Sequence, residues 1–164
     1  MKYLSKAVAF SGPSNSGKTT LIEKLSNILS PNYKVLIIKH DPKDKAKFDV
    51  EGKDSHKFFK SGADTVVLSP TRTTYFSHQK REVDEIIKAL NFDYLLVEGL
   101  KEIKLPRISI FRNNINKEYL PYSNAIAIDN SIQTPTDLKL DVLDLNNTKE
   151  ILEWINKNAK VVKS

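Results

Sequence analysis

The chain has 164 residues and carries 26 Lys and Arg against 20 Asp and Glu, a formal charge of +6. No cysteine is present, which excludes a disulfide framework and any cysteine-based zinc site. With 40% apolar residues the chain is too hydrophobic for wholesale disorder, and its length suits one domain over residues 1–164.

No apolar run is long enough to span a bilayer, so no membrane association is expected. The opening residues Met1-Lys2-Tyr3-Leu4-Ser5-Lys6 lack the apolar stretch of a secretion signal, and a cytoplasmic location is expected. Lysines are interleaved with acids, and no aromatic-basic motif accompanies them. Charge alone therefore names no partner, and a nucleic-acid module is the weakest reading.

Taken in chain order, short apolar runs alternate with helical patterns. Ala7-Val8-Ala9-Phe10 opens the series as a continuous run, the pattern of a strand buried on both faces. Leu21, Ile22, Leu25, Ile28 and Leu29 then share one helical face. Val35-Leu36-Ile37-Ile38 is a second continuous run, followed by a polar stretch over residues 41–53 that holds Pro42 and Gly52. A helical pattern over 54–60 leads to Val66-Val67-Leu68 and Thr73-Thr74-Tyr75-Phe76, close enough to form a hairpin. Val83, Ile86, Ile87 and Leu90 repeat at helical spacing. Leu95-Leu96-Val97, Ile108 to Phe111 and Ala125-Ile126-Ala127-Ile128 are further strands, and a last helix starts at Asn147 or Thr148 and buries Ile151, Leu152 and Ile155, with Trp154 as a packing residue. This order predicts an α/β three-layer sandwich with a mostly parallel sheet, and the glycine loop that follows the first strand makes it a P-loop NTPase fold.

The strongest chemical signal is Gly12-Pro13-Ser14-Asn15-Ser16-Gly17-Lys18-Thr19, which matches G-x-x-x-x-G-K-[ST] between an apolar strand and an amphipathic helix. Glycines at 12 and 17 let the backbone amides close around a phosphate. Lys18 reaches the outer phosphates, Thr19 offers a hydroxyl to Mg²⁺, and the helix N-terminus adds its positive dipole end. Gly12, Ser14, Asn15, Ser16, Gly17, Lys18, Thr19 and Thr20 are thus the candidate nucleotide-binding residues. Two acids end apolar runs and are candidates for the metal beside Thr19. Glu98 follows Leu95-Leu96-Val97, with a surface strand cap as its alternative; Asp41 follows Lys39 and His40, with a turn before Pro42 as its alternative. Lys18 and Glu98 are the candidate catalytic pair.

The P-loop, Lys39-His40-Asp41, Phe48-Asp49, Gly52-Lys53-Asp54-Ser55, Ser61-Gly62-Ala63 and Val97-Glu98-Gly99-Leu100-Lys101, in this order and spacing, resemble the MobB family of molybdopterin-guanine dinucleotide biosynthesis. The resemblance implies a small dimeric protein that binds GTP with Mg²⁺, hydrolyses it feebly, and assists the guanylyltransferase MobA in joining GMP to molybdopterin. It also implies that Lys39, Asp49, Lys53, Asp54, Ser55 and Lys101 form a substrate or nucleotide loop, with molybdopterin as a candidate ligand. Glu51 stands before Gly52 where the family usually has proline, and Leu100 follows Gly99 where phenylalanine is usual.

Guanine choice has no motif of its own. No N-K-x-D occurs, and Asp129, directly after the 125–128 strand, is either a base-reading acid or a turn residue beside Asn130. His40 and His56 read as phosphate-side or surface residues rather than metal ligands. Lys53, Lys57, Lys101, Lys104, Arg107 and Arg112 are either an anion-binding face or a solvated basic one. A small-molecule P-loop kinase is the alternative function; against it stands the scarcity of arginine, with Arg72, Arg81, Arg107 and Arg112 the only four.

Overall fold

The computed structural model describes residues 4–163. The chain forms two compact units, one made of residues up to 40 and from 91 onward, the other of residues 41–90.

The first unit is built on a sheet of seven strands: β1 (Ser5–Ser11), β2 (Val35–Lys39), β5 (Tyr94–Glu98), β6 (Arg107–Phe111), β7 (Ala125–Ile128), β8 (Asp141–Asp144) and β9 (Lys160–Lys163). The order is β2-β5-β1-β6-β7-β8, all parallel. β5 pairs along β1 from Lys6 to Phe10. The other edge of β1 is shared: β9 pairs antiparallel with Ser5 to Ala7, and β6 takes over from Ala9 to Ser11. Parallel strands need crossovers, and the first is α1 (Lys18–Leu29).

One sheet face carries α1 and α4 (Thr148–Asn158). Leu21, Ile22, Leu25, Ile151 and Ile155 pack there on Val8, Phe10, Leu96, Ile108, Ile110 and Ala127, all buried. Each such aliphatic side chain contributes roughly 1.5–3 kcal/mol by leaving water. On the other face a 3₁₀ turn (Lys117–Tyr122) brings Tyr119 and Leu120 over Phe111, Ile126 and Ile128. The last helix starts where the sequence places it. The Asn147 side chain accepts from the Glu150 amide at 3.2 Å, and Trp154 is buried with its ring N–H donated to Asp141 at 2.7 Å.

The second unit holds α2 (Asp54–Lys60), the hairpin of β3 (Thr65–Leu68) and β4 (Thr73–Phe76), and α3 (Val83–Ala89). Glu82 and Glu85 close a reciprocal capping box at the start of α3. Phe59 stacks on the His78 ring at 3.9 Å, and His78 Nε2 lies 2.8 Å from the Phe59 carbonyl.

Two expectations about burial are corrected. Among the described residues Val35–Lys39 is an edge strand, and Ile37 is 42% exposed. Val66, Val67 and Leu68 pair with Thr73–Phe76 in the expected hairpin, a two-stranded sheet of its own, but the continuous apolar run is not buried, and Leu68 is 76% exposed. Two strands, β8 and β9, went unread in the sequence. Each is four residues long with charged ends, too short and too polar at its edges to stand out.

Candidate phosphate-binding site

The glycine loop leaves the end of β1 and turns directly into α1. Gly12 has a φ of 141°, and a Cβ there would lie 2.3 Å from the Ile110 carbonyl oxygen and 2.9 Å from Ser16 Oγ. No side chain fits where the loop crosses the neighbouring strand. Gly17, at φ 99°, is the residue before the helix, and Asn15 also adopts a left-handed conformation at 61°. Positive-φ residues set into a loop in this way let it turn its amides toward one side.

The start of α1 is left open to an anion. Its cap residue makes no side-chain hydrogen bond, and the first turn holds no acidic residue. The free amides and the positive end of the helix dipole therefore lack an internal anionic partner. Ser16 Oγ is buried and has no hydrogen-bond partner, a polar atom inside the loop that a ligand oxygen would satisfy. The Lys18 ammonium folds back over the loop and donates to the Gly12 carbonyl at 3.0 Å and the Pro13 carbonyl at 2.6 Å. Partial burial pushes the Lys18 ammonium below the usual lysine range; the Glu98 carboxylate opposes that fall, and Lys39 adds to it. Ser14, Thr19 and Thr20 are exposed on the loop and the first helical turn.

Glu98 stands at the carboxyl end of β5, in register with Phe10 on one side and Lys39 on the other. Its carboxylate lies 3.9 Å from Lys39 Nζ and is only 15% exposed, whereas the lysine is 62% exposed. The backbone then turns through Gly99 at φ 87° and Leu100 at 51°. A Cβ on Gly99 would meet His40 Cβ at 3.1 Å, so the strand ends approach closely here.

Arg107 corrects the reading of a basic face. It is 1% exposed, and its guanidinium donates to Ser11 Oγ at 2.6 Å, to the Gly99 carbonyl at 2.9 Å and to the Leu100 carbonyl at 2.7 Å. It clamps the turn after Glu98 onto the end of β1. Arg112 is also engaged: its guanidinium lies 3.4 Å from where a Gly17 Cβ would stand, and its Nε is 3.5 Å from Asp129 Oδ2. Neither role has a sequence signal beyond an arginine beside a strand. Lys101 lies over the Tyr119 ring, 4.7 Å from its centre.

The remaining candidates lie in the second unit. Asp41 Oδ2 accepts from the Lys45 and Ala46 amides at 2.7 and 2.6 Å, the turn-forming role weighed for it. Asp49 Oδ1 accepts from Ser55 Oγ and the Val50 amide, both at 2.9 Å, while its buried Oδ2 has no partner. Lys53 is the residue before α2, and Asp54 in its first turn pairs with Lys57 at 3.5 Å.

The family model for molybdopterin guanine dinucleotide synthesis protein B, MobB, matches residues 7–130. The chain belongs to the MobB family. It is 30% identical over 155 residues to a molybdopterin-guanine dinucleotide biosynthesis adapter protein of Haemophilus influenzae, covering 90% of this chain and 86% of that one. The protein of the same name from Escherichia coli is 29% identical over 172 residues, covering 95% and 97%. The crystal structure of Bacillus subtilis MobB superposes with a TM-score of 0.74 at 23% identity, over 94% of this chain and 98% of that one, a likeness of fold. Together with the parallel sheet and its flanking helices, these matches bear out both the resemblance and the P-loop NTPase fold expected from the sequence.

Among the described residues, no helix is long and apolar enough to cross a membrane.

Proposed function

We propose that this protein is a GTP-binding adapter in molybdopterin guanine dinucleotide biosynthesis, supporting a MobA-type guanylyltransferase as it attaches GMP to molybdopterin. The observation that carries the nucleotide part is the uncapped start of α1, with Lys18 folded over the loop and Ser16 Oγ buried without a partner. Membership of the family supports the biosynthetic role.

The donor set fits Mg²⁺. A Thr19 hydroxyl and the Glu98 carboxylate are hard oxygen donors, and this ion binds through one or two protein groups together with phosphate oxygens and water. Bound there, the ion would supply positive charge to the phosphate oxygens. The protein's own part is to cradle phosphate with the amides of residues 12–19, neutralise it with Lys18, and hold Glu98 at the strand end through the turn that Arg107 clamps. Hydrolysis by this arrangement is slow, as the resemblance implies, and the protein acts chiefly by presenting nucleotide to its partner.

The adapter works as a homodimer. Val66, Leu68 and Tyr75 leave an apolar face on the β3–β4 hairpin, each more than half exposed, and a lone two-stranded sheet is marginally stable without cover. A second copy of the same face supplies that cover, in keeping with the dimer the resemblance implies. Sedimentation should give a dimer for the native protein and a monomer for Leu68→Lys; a native monomer removes this part.

The deciding experiment adds the protein and GTP to MobA with molybdopterin and measures dinucleotide formed. Stimulation over MobA alone is expected, and Lys18→Ala should abolish it. Equal yields with and without the protein, and no complex with MobA, would refute the adapter role.

A further inference from the structure

β1, β5 and β2 are adjacent and parallel, so their carboxyl ends stand side by side. The glycine loop leaves the first, Glu98 ends the second and Lys39 ends the third. Phe10, Glu98 and Lys39 are in register across the three. Pairing runs on past them: the Gly99 amide donates to the Phe10 carbonyl at 2.9 Å, and the His40 amide to the Glu98 carbonyl at 3.1 Å. The backbone that carries Lys39 is therefore held on the sheet.

Alternation along the strands decides which way the side chains rise. Every second residue of a strand shares a face. Val35 and Leu96 pack into the core beneath α1 and α4, so Lys39 and Glu98, at even spacing beyond them, rise from that same face. Lys18 opens α1 there. Burial does most to lower the Lys18 pKa, then Glu98 raises it and Lys39 lowers it, as three charges in one neighbourhood should.

The Lys39 ammonium is loosely engaged. Its contact with Glu98 spans 3.9 Å, too long for a hydrogen bond, and its side chain is 62% exposed. Two ammonium groups beside one carboxylate leave an excess of positive charge, which an incoming anion would balance. A carboxylate that engages a divalent cation has less charge to offer Lys39, whose flexible stem lets it turn to another anion. The lysine of a glycine loop meets the outer phosphates, so the last phosphate of a triphosphate lies beside Lys18 and within the same group of charges.

We infer that Lys39 reads the terminal phosphate and so makes the protein select nucleoside triphosphate over diphosphate. A diphosphate ends one group short and gives Lys39 no phosphate oxygen to meet, whereas a triphosphate offers it a charge-assisted hydrogen bond. Such selection suits an adapter that presents nucleotide for guanylyl transfer, because the transfer leaves pyrophosphate behind only when the donor is a triphosphate. The inference rests on residues 12–19 holding the phosphates.

The test is calorimetric titration of the native protein, Lys39→Met and Lys39→Arg with GTP and GDP, and with ATP and ADP, each with Mg²⁺. The two pairs make the comparison independent of the base. The native protein should bind triphosphate at least about tenfold more tightly than diphosphate. Lys39→Met should bring the two within about twofold by weakening the triphosphate alone, and Lys39→Arg should keep most of the preference. Melting of Lys39→Met should match the native protein, because the ion pair it removes is long and exposed. Equal native affinity for triphosphate and diphosphate, or a preference unchanged in Lys39→Met, overturns the inference and leaves the phosphate loop intact. Loss of both nucleotides by the same factor in Lys39→Met also overturns it, since a lysine that merely neutralises Glu98 would act on both alike. Failure of the native protein to bind any of the four nucleotides overturns the phosphate-loop reading and the role of Lys39 with it.

Discussion

The Arg107 guanidinium donates to the Ser11 hydroxyl across 2.6 Å, fastening the end of β1, where the glycine loop begins, to the turn that follows Glu98. Among the described residues no salt bridge within 4 Å engages this buried cation, although the Glu102 charge supports it from farther away; backbone carbonyls and one hydroxyl surround it. Such an arrangement is costly to build and costlier to break, since loss of the donor leaves several acceptors dry. Arg107→Met is expected to destabilise the fold by about 2–4 kcal/mol. At about 2–4 °C per kcal/mol for a chain of this size, melting should fall by about 4–16 °C. Arg107→Lys should recover little, because a point charge cannot reach Ser11 and two carbonyls at once. Thermal melts of the three proteins check this, and an unshifted Arg107→Met melt would show that the clamp is dispensable.

Features set by local chemistry were legible in the sequence. The glycine loop reads clearly because its glycines answer to a backbone need, and Asn147 reads as a helix start because an amide side chain three residues before Glu150 has that use. What escaped depended on distant partners. Arg107 looked like surface charge, since nothing local says that Ser11 and Gly99 converge on it. Val66-Val67-Leu68 looked like core because hydrophobicity tells how well a segment wants cover, and the sheet it joins decides whether it receives any. Arg112 could be connected to Gly17 and Asp129 only once β6 and β7 stood side by side.

The glycines make different demands, and alanine scanning should separate them. A Cβ at Gly12 meets the Ile110 carbonyl oxygen at 2.3 Å, a contact that only backbone movement relieves. Gly62 also has a positive φ, 98°, yet nothing lies within 4 Å of an added Cβ. Gly62→Ala should therefore cost about 1 kcal/mol, the strain of the left-handed backbone alone. Gly12→Ala adds a clash and should cost more than about 3 kcal/mol or prevent folding. Chemical denaturation of both variants gives the comparison, and equal costs would contradict the close crossing of loop and strand.

Lys18 and Glu98 are coupled through charge, which gives a measurement independent of nucleotide. Burial lowers the Lys18 pKa and Glu98 holds it up, so Glu98→Gln should lower it further. Nitrogen-detected NMR of the lysine ammonium follows this directly. With its pKa depressed on folding, Lys18 leaves the unfolded chain binding more protons just below the usual lysine range. Stability should thus rise with pH through that window, and Lys18→Met should flatten the rise. Nucleotide affinity should fall at least about tenfold in Lys18→Met, while the protein remains folded at neutral pH. A Lys18 pKa indifferent to Glu98→Gln would separate the two groups.

In the second unit Asp64 carries the acid sensitivity. Its carboxylate accepts from the His78 amide at 2.9 Å and from the Tyr75 and Ser77 hydroxyls at 2.8 Å, gathering the end of β4 around one charge. These hydrogen bonds hold its carboxyl below the usual aspartate range, the His78 amide contributing most. The sign follows from proton counting: below the ordinary aspartate pKa the unfolded chain takes up a proton that the folded chain refuses. The stability that Asp64 contributes is therefore complete above that ordinary value and drains away as pH falls through the lowered one. Protection of the β3 and β4 amides, taken as exchange relative to the intrinsic rate at each pH, should fall between about pH 4 and pH 2, a range set by ordinary aspartate titration. Asp64→Asn should exchange faster at neutral pH and show a weaker acid dependence, because the amide keeps one acceptor but no charge. Identical acid profiles for the two proteins would place the sensitivity on another carboxylate.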